Sequence, residues 1–330
     1  MNTYSVTAKA HPNIAFIKYW GNQDDSLRLP SNGSISMTLA NLSTTTTVSI
    51  NPKLNSDYLE LNGSTQTGPA LRRTQQYLNL IRKIYKREGF LEIKSINSFP
   101  ISAGIASSAS AFAALSTAVA HLLELHLSPK ELSAVARLGS GSACRSIPPG
   151  YCEWKTGSSH EESFAITIAP EHHWDLWDCI ALVESKPKEV GSTKGHSKAD
   201  SSPLQHARIM DAPRRLDICR NAIIKKDFGA LSEIIELDSN LMHAVMMTSK
   251  PPIMYWQPTS LLIMNEVKKL RQKGIAAAYT IDAGSNVHVI CTEASFEKVE
   301  YNLQEIPGVI EILKSPSGGG ACLIQSTSTN

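Results

Sequence analysis

The stretch NSFPISAGIASSASAFAAL, residues 97–115, constrains this chain more than any other. An apolar run with Leu91, Ile93 and Ile96 leads into a proline, a glycine and two adjacent serines, which open without a break into an alanine-rich segment of helical character. Gly104 permits a tight turn, Ser107 and Ser108 offer hydroxyls, and the first turn of the helix presents unpaired N–H groups. This is the outline of an anion site with phosphate as its natural guest. A helix packed closely through small residues would leave the same trace, so the rest of the chain has to decide.

With 330 residues the chain is about twice a typical domain, long enough for two joined halves. Lys plus Arg outnumber Asp plus Glu by only 32 to 30 and form no basic block, so nucleic acid is not an expected partner. No apolar run reaches the length of a membrane span, and the first residues carry no signal pattern, so a cytoplasmic protein is expected. Six cysteines without a CxxC pair and histidines without HExxH argue against disulfides and a protein-only transition-metal site.

Taken in order, strands are expected around Val6–Ala10, in NLSTTTTVSI and in YLEL, a helix over 69–87, and a strand over 91–96 that feeds the anion motif. Helical spacing continues through Leu115, Val119 and Leu122. Ser128, Pro129 and Glu131 then form a capping box for a helix ending near Gly139. GSGSACRSIPPG is a second Gly/Ser-rich ligand loop. Strands are expected at 163–168 and 178–183, and the stretch from 185 to 203, with almost no apolar anchor, suggests a lid. Helices at 213–226, 228–247 and 258–273 precede a strand-turn-strand in AAAYTIDAGSNVHVICTE and a glycine-rich turn into a last strand. The fold class is therefore α+β in two layered halves, 1–185 and 186–330, with a boundary blurred by late strands returning to early sheets.

Four segments carry reactive groups beside glycine or serine: Lys18 to Gly21, the opening motif, Ser140 to Arg145, and Asp282 to Gly284. Converged, they supply a phosphate cradle, two cations and a carboxylate, a set suited to phosphoryl transfer to a hydroxyl. Each has a plainer reading. Lys18 can be a strand lysine that snorkels, Asp282 a turn former, and Arg145 a helix cap or a partner of Glu153.

The segments HPNIAFIKYWG, LPSNGSISMTL with TTTT, RRTQ, NSFPISAGIASSASAFAAL, GSGSACRS, GSTKG and YTIDAGSN stand in an order that resembles the mevalonate diphosphate decarboxylases, of the galactokinase, homoserine kinase, mevalonate kinase and phosphomevalonate kinase superfamily. The resemblance implies a ribosomal S5-like N-terminal half, a ferredoxin-like C-terminal half, a homodimer, and an ATP- and Mg²⁺-dependent decarboxylase of phosphorylated mevalonate. It also implies roles. Asp282 would face the 3-hydroxyl with Lys18 beside it, and Arg145 would hold the substrate carboxylate. Gly104, Ala106, Ser107 and Ser108 would bind ATP phosphates, Ser108 with the Mg²⁺. Tyr19, Asn22, Arg73, Ser140, Gly141, Ser142, Ser192 and Thr193 would follow the substrate and its phosphate arm. Two departures stand out: Asn22 replaces the lysine of the usual YWGK, and His196 and Ser197 follow GST-x-G where Met-Arg or Met-Gln is common. The loss of a cation makes mevalonate 5-phosphate the expected substrate. Mevalonate 5-diphosphate, with Lys194, His196 or Lys198 of the loop supplying the missing charge, a 3-kinase without decarboxylation and a non-catalytic sensor are the alternatives.

Overall fold

The computed structural model describes residues 3–99, 107–183 and 191–329. A six-stranded sheet runs β16 (Cys322–Thr329), β1 (Thr3–Ala10), β6 (Thr44–Ile50), β9 (Leu91–Asn97), β7 (Tyr58–Leu61) and β8 (Ser64–Thr65). In β6 the alternation of the β-branched run buries Thr44, Thr46 and Val48 while Thr45, Thr47 and Ser49 stay half-buried, as a strand with one covered face requires. That face is covered by α1 (Pro69–Tyr85), α2 (Ser107–Leu122) and α3 (Pro129–Gly139). The alanines and serines of α2 are buried nearly all round, and Thr117 returns its hydroxyl to the Ala113 carbonyl at 2.9 Å, so its polar group is satisfied inside the helix. α3 starts on the expected capping box, with Glu131 accepting from the Ser128 backbone at 2.8 Å.

A second sheet runs β11 (Ala165–Ala169), β10 (Tyr151–Trp154), β5 (Ser34–Thr38), β2 (Asn13–Ile17), and a third runs β13 (Ala277–Ile281), β14 (Val287–Thr292), β12 (Leu176–Leu182), β15 (Glu311–Pro316). A short hairpin pairs β3 (Asn22–Asp24) with β4 (Leu29–Pro30). One face of the third sheet packs on α7 (Pro258–Gln272) and α8 (Phe296–Gln304). The other meets the second sheet, α5 (Gln205–Lys225) and α6 (Phe228–Thr248) in a second large apolar core. The residue-185 limit expected from sequence falls just after β12, a strand of the third sheet, and β16 returns to pair with β1.

Two expectations need correction. The helix read as starting at 213 begins at Gln205 and holds Pro213 in its interior. The missing N–H of a proline disfavours the helix interior but does not forbid it when the flanking turns are packed. The stretch read as unanchored is, over 191–203, a short helix α4 (Ser192–His196) and a turn of 3-10 helix, with Gly195 against the Trp20 ring and Ala199 buried beside Trp20 and Met246. Residues 185–190 of the proposed lid lie outside the described residues. Among the described residues no helix is long and apolar enough to cross a membrane.

Candidate active site

The site begins where two sheet edges meet. β2 and β13 are edge strands of the second and third sheets, and the Thr280 hydroxyl donates to the Ala15 carbonyl at 3.5 Å between them. Lys18 follows β2 and Asp282 follows β13, so the two chain ends deliver an ammonium and a carboxylate to one point, 2.5 Å apart. Lys18 is 1 % exposed; the Asp282 side chain is 28 % exposed and opens outward. Burial pushes the Asp282 carboxyl up, but Lys18, His288 and Arg145 together override it and hold the group down at about 2. Lys18 is therefore a partner of Asp282 and not a snorkelling lysine.

The backbone of Lys18 is clamped from both sides. Its N–H donates to Asp238 Oδ2 at 2.6 Å, and its carbonyl accepts from Arg208 at 2.7 Å and from Asn32 at 2.9 Å. Asp238 also accepts from Arg215 at 2.7 Å, and all three charged groups are buried. Sequence reasoning missed this network because Arg208, Arg215 and Asp238 look like ordinary charged positions of amphipathic helices. Asp238→Asn leaves Arg215 and Arg208 short of a buried countercharge, so a loss of about 3 kcal/mol in unfolding free energy is expected in a urea titration.

Arg145 lies in the 3-10 turn Gly141–Ser146 and is 3 % exposed. Its Nε and Nη2 donate to Asn13 Oδ1 at 3.2 and 3.1 Å and its Nη1 to the Ser34 hydroxyl at 2.7 Å. Glu153, the alternative partner read from sequence, pairs with Arg220 and Lys155 instead. Among the described residues Arg145 has no carboxylate within ion-pair distance, and burial pulls its pKa down while Cys144 and Asp282 counter this. A buried guanidinium held by neutral acceptors keeps a charge that an incoming anion can answer.

From there a polar chain leads to the head of α2. Asn13 donates to the Ser142 carbonyl at 3.1 Å, the Ser142 and Ser140 hydroxyls lie 3.5 Å apart, and Ser140 lies 3.1 Å from Ser108. Ser107 and Ser108 occupy the first two positions of α2, where N–H groups lack helical acceptors. Gly104 and Ala106 lie outside the described residues. Gly141 has to be glycine, since a Cβ there would stand 2.6 Å from the Tyr19 ring. Tyr19 stacks on His196 at 4.1 Å and donates to Asn22, which in turn donates to Asp25 at 2.6 Å.

Beyond Tyr19 opens a cleft of 480 Å³ lined by Asn22, Asp25, Arg28, Thr193, Lys194, His196 and Ser197. Arg28 donates to the Leu138 carbonyl at 3.0 Å and Arg73 to the Gly139 carbonyl at 3.0 Å, so two guanidinium groups crowd the end of α3. Neither has an acidic partner within ion-pair distance among the described residues. Burial, then the neighbouring charge of Arg28, brings the Arg73 pKa down to about 10. Thr193 borders the cleft, whereas Ser192 is exposed and does not. Arg28 had no sequence signal, because it lies in the turn between β3 and β4, where no periodicity marks a side chain.

The described residues contain no group of three or more His, Cys, Asp or Glu that could hold a metal ion. A carboxylate, a cation pair, serine hydroxyls at a helix start and a cationic cleft on an α+β scaffold fit the class of small-molecule phosphoryl-transfer proteins. Comparisons narrow the class. A profile for the diphosphomevalonate decarboxylase-like N-terminal domain matches residues 10–165, and one for the mevalonate 5-diphosphate decarboxylase C-terminal domain matches residues 179–315. A Candida albicans diphosphomevalonate decarboxylase is 41% identical over 90% of this chain and 86% of its own, and the Saccharomyces cerevisiae enzyme is 38% identical over 87% and 77%. A solved Staphylococcus aureus mevalonate diphosphate decarboxylase superposes with a TM-score of 0.92 at 36% identity, covering 98% of each chain. A structure described as a complex with MVAPP, AMPPCP and magnesium gives the same TM-score and identity over 98% of this chain and 99% of its own. The chain belongs to the diphosphomevalonate decarboxylase family.

Proposed function

We propose that this protein is an ATP-dependent decarboxylase whose substrate is mevalonate 5-diphosphate. The observation that carries the choice of substrate is the pair Arg28 and Lys194 lining the cleft beside Tyr19, with Arg28 supplying from the β3–β4 hairpin the cation that Asn22 does not, and with Arg73 near enough to feel its charge. The names of the relatives favour the same reading over the monophosphate preferred from sequence.

In this reading the substrate carboxylate sits on Arg145 and the 3-hydroxyl faces Asp282. The hydroxyl oxygen forms a bond to the γ-phosphorus of ATP, the bond to the β-bridging oxygen breaks, and the hydroxyl proton passes to Asp282. Phosphate then leaves C3, the C1–C2 bond breaks, and its electron pair forms the C2–C3 double bond as carbon dioxide departs. Ser107 and Ser108, with the N–H groups of the first turn of α2, would hold the nucleotide phosphates. Magnesium suits a site with hydroxyls and at most one carboxylate, because it keeps water and phosphate oxygens as ligands. It would be held at Ser108 and would neutralise charge on the transferring group.

A second reading, mevalonate 5-phosphate, is favoured by one feature: Asn22 is tied to Asp25, whose negative charge borders the cleft. Carbon dioxide release measured with each substrate decides between them. Faster turnover of the diphosphate is expected, and Arg28→Gln should raise its KM about 10- to 100-fold, the worth of one charge-assisted contact. A preference for the monophosphate in the unaltered protein would overturn the diphosphate assignment.

A further inference from the structure

His196 closes the short helix α4, and its ring is held on three sides. It stacks on Tyr19 at 4.1 Å, leans on Trp20 at 4.5 Å, and accepts the Gly21 N–H on Nδ1 at 3.0 Å. The direction of that N–H is fixed: Gly21 has φ +91°, and a Cβ there would meet the Gln205 side-chain nitrogen, which itself donates to the Trp20 carbonyl at 2.9 Å. A neutral imidazole whose Nδ1 accepts must carry its proton on Nε2. Nε2 has no partner among the described residues, and His196 borders the cleft together with Arg28 and Lys194.

We propose that His196 is a specificity-determining donor of fixed tautomer, whose Nε2–H binds a phosphoryl oxygen of the substrate's phosphate arm. The assignment rests on reading the cleft as the site of that arm. The groups around the ring favour its neutral form. Tyr19 and Trp20 cover much of the ring, and Arg28, Arg208 and Arg145 repel a second positive charge, so that burial first and these cations next pull its pKa down to about 3. Asp25 is the acidic group of the cleft, and its carboxylate is engaged by Asn22. A neutral donor can sit between arginines where a lysine would add repulsion, and it gives direction to a contact that Arg28 and Lys194 supply as charge.

The test uses the full chain labelled with ¹⁵N-histidine and titrated with inorganic pyrophosphate and, separately, inorganic phosphate. The His196 signals should report the Nε2–H tautomer unchanged from pH 5 to 8 and should move when at least one anion is added. In steady state, His196→Met should raise KM for the phosphorylated mevalonate about tenfold or more, with a smaller change in kcat and none in KM for ATP; His196→Gln, which keeps a donor, should recover part of the loss. An Nδ1–H tautomer, protonation near neutral pH, no response to either anion, or an unchanged KM in the methionine variant would overturn the proposal. A response to phosphate alone would leave the donor in place and move the substrate to the monophosphate. A response without carbon dioxide release from either substrate would remove the reaction and leave the donor.

Discussion

Asp282→Asn is expected to lower kcat about 10³-fold or more while ATP and substrate still bind. Asparagine keeps the shape and the ability to accept from Lys18, which lies 2.5 Å away, but removes the charge and the proton acceptor. A positioned acid–base group is worth about 10²–10⁴ in rate, and loss of an electrostatic contact formed at the reacting atoms costs a further one or two orders. With a carboxyl held at about 2, Asp282 is a weak base toward an alcohol. In the proposed reaction it would take the proton late, as the oxygen acidifies on bonding to phosphorus, and until then would orient the hydroxyl. The sign of the pH effect follows. The native carboxyl is depressed below its unfolded value of about 3.9, so its contribution to stability is complete above that value and fades as pH falls toward 2. No acidic limb between pH 4 and 7 in the kcat profile should belong to Asp282. Calorimetry of ATP binding beside single-turnover rates checks the variant; turnover within tenfold of the unaltered protein would remove Asp282 from the chemistry.

How much of this was legible in the sequence depended on distance along the chain. The capping box at Ser128 and Glu131 and the alternation of Thr44 to Ile50 are local, and periodicity and spacing sufficed to read them. The Lys18–Asp282 pair joins residues 264 positions apart at the meeting of two edge strands, and local sequence left each residue with a plainer reading. Only the order of whole motifs, through the resemblance, put them in one site. Arg28 escaped as a site residue for another reason: it lies outside the motif pattern, and its contact depends on a carbonyl brought from α3. His196 was legible in its loop only as a source of charge, because the ring it stacks on comes from β2's end. Asp238 was hidden because a buried carboxylate on a helix has the same spacing as an exposed one. In the same way Pro213 read as a boundary, since the packing that lets α5 continue through it is not written near it.

Arg145→Lys should cost about 10³-fold in kcat/KM, and the loss should fall mainly on KM for the phosphorylated mevalonate. The guanidinium spans two acceptors, Asn13 and Ser34, while keeping further N–H groups for an anion, a geometry that a single ammonium cannot copy. Its charge also stands unanswered by any carboxylate within ion-pair distance among the described residues, so a substrate carboxylate gains a desolvated, charge-assisted contact worth several kcal/mol when it arrives. That same contact stabilises the carboxylate before it is lost, and the negative charge drains away as carbon dioxide forms. In the proposed reaction Arg145 would act in binding and alignment of the C1–C2 bond more than in accelerating its cleavage. The stoichiometry distinguishes the roles. With Arg145→Lys, ADP and carbon dioxide should still appear in a one-to-one ratio at saturating substrate, only at far higher substrate concentrations. ADP formation outrunning carbon dioxide, with a 3-phosphorylated product accumulating, would mean instead that the guanidinium drives the fragmentation itself.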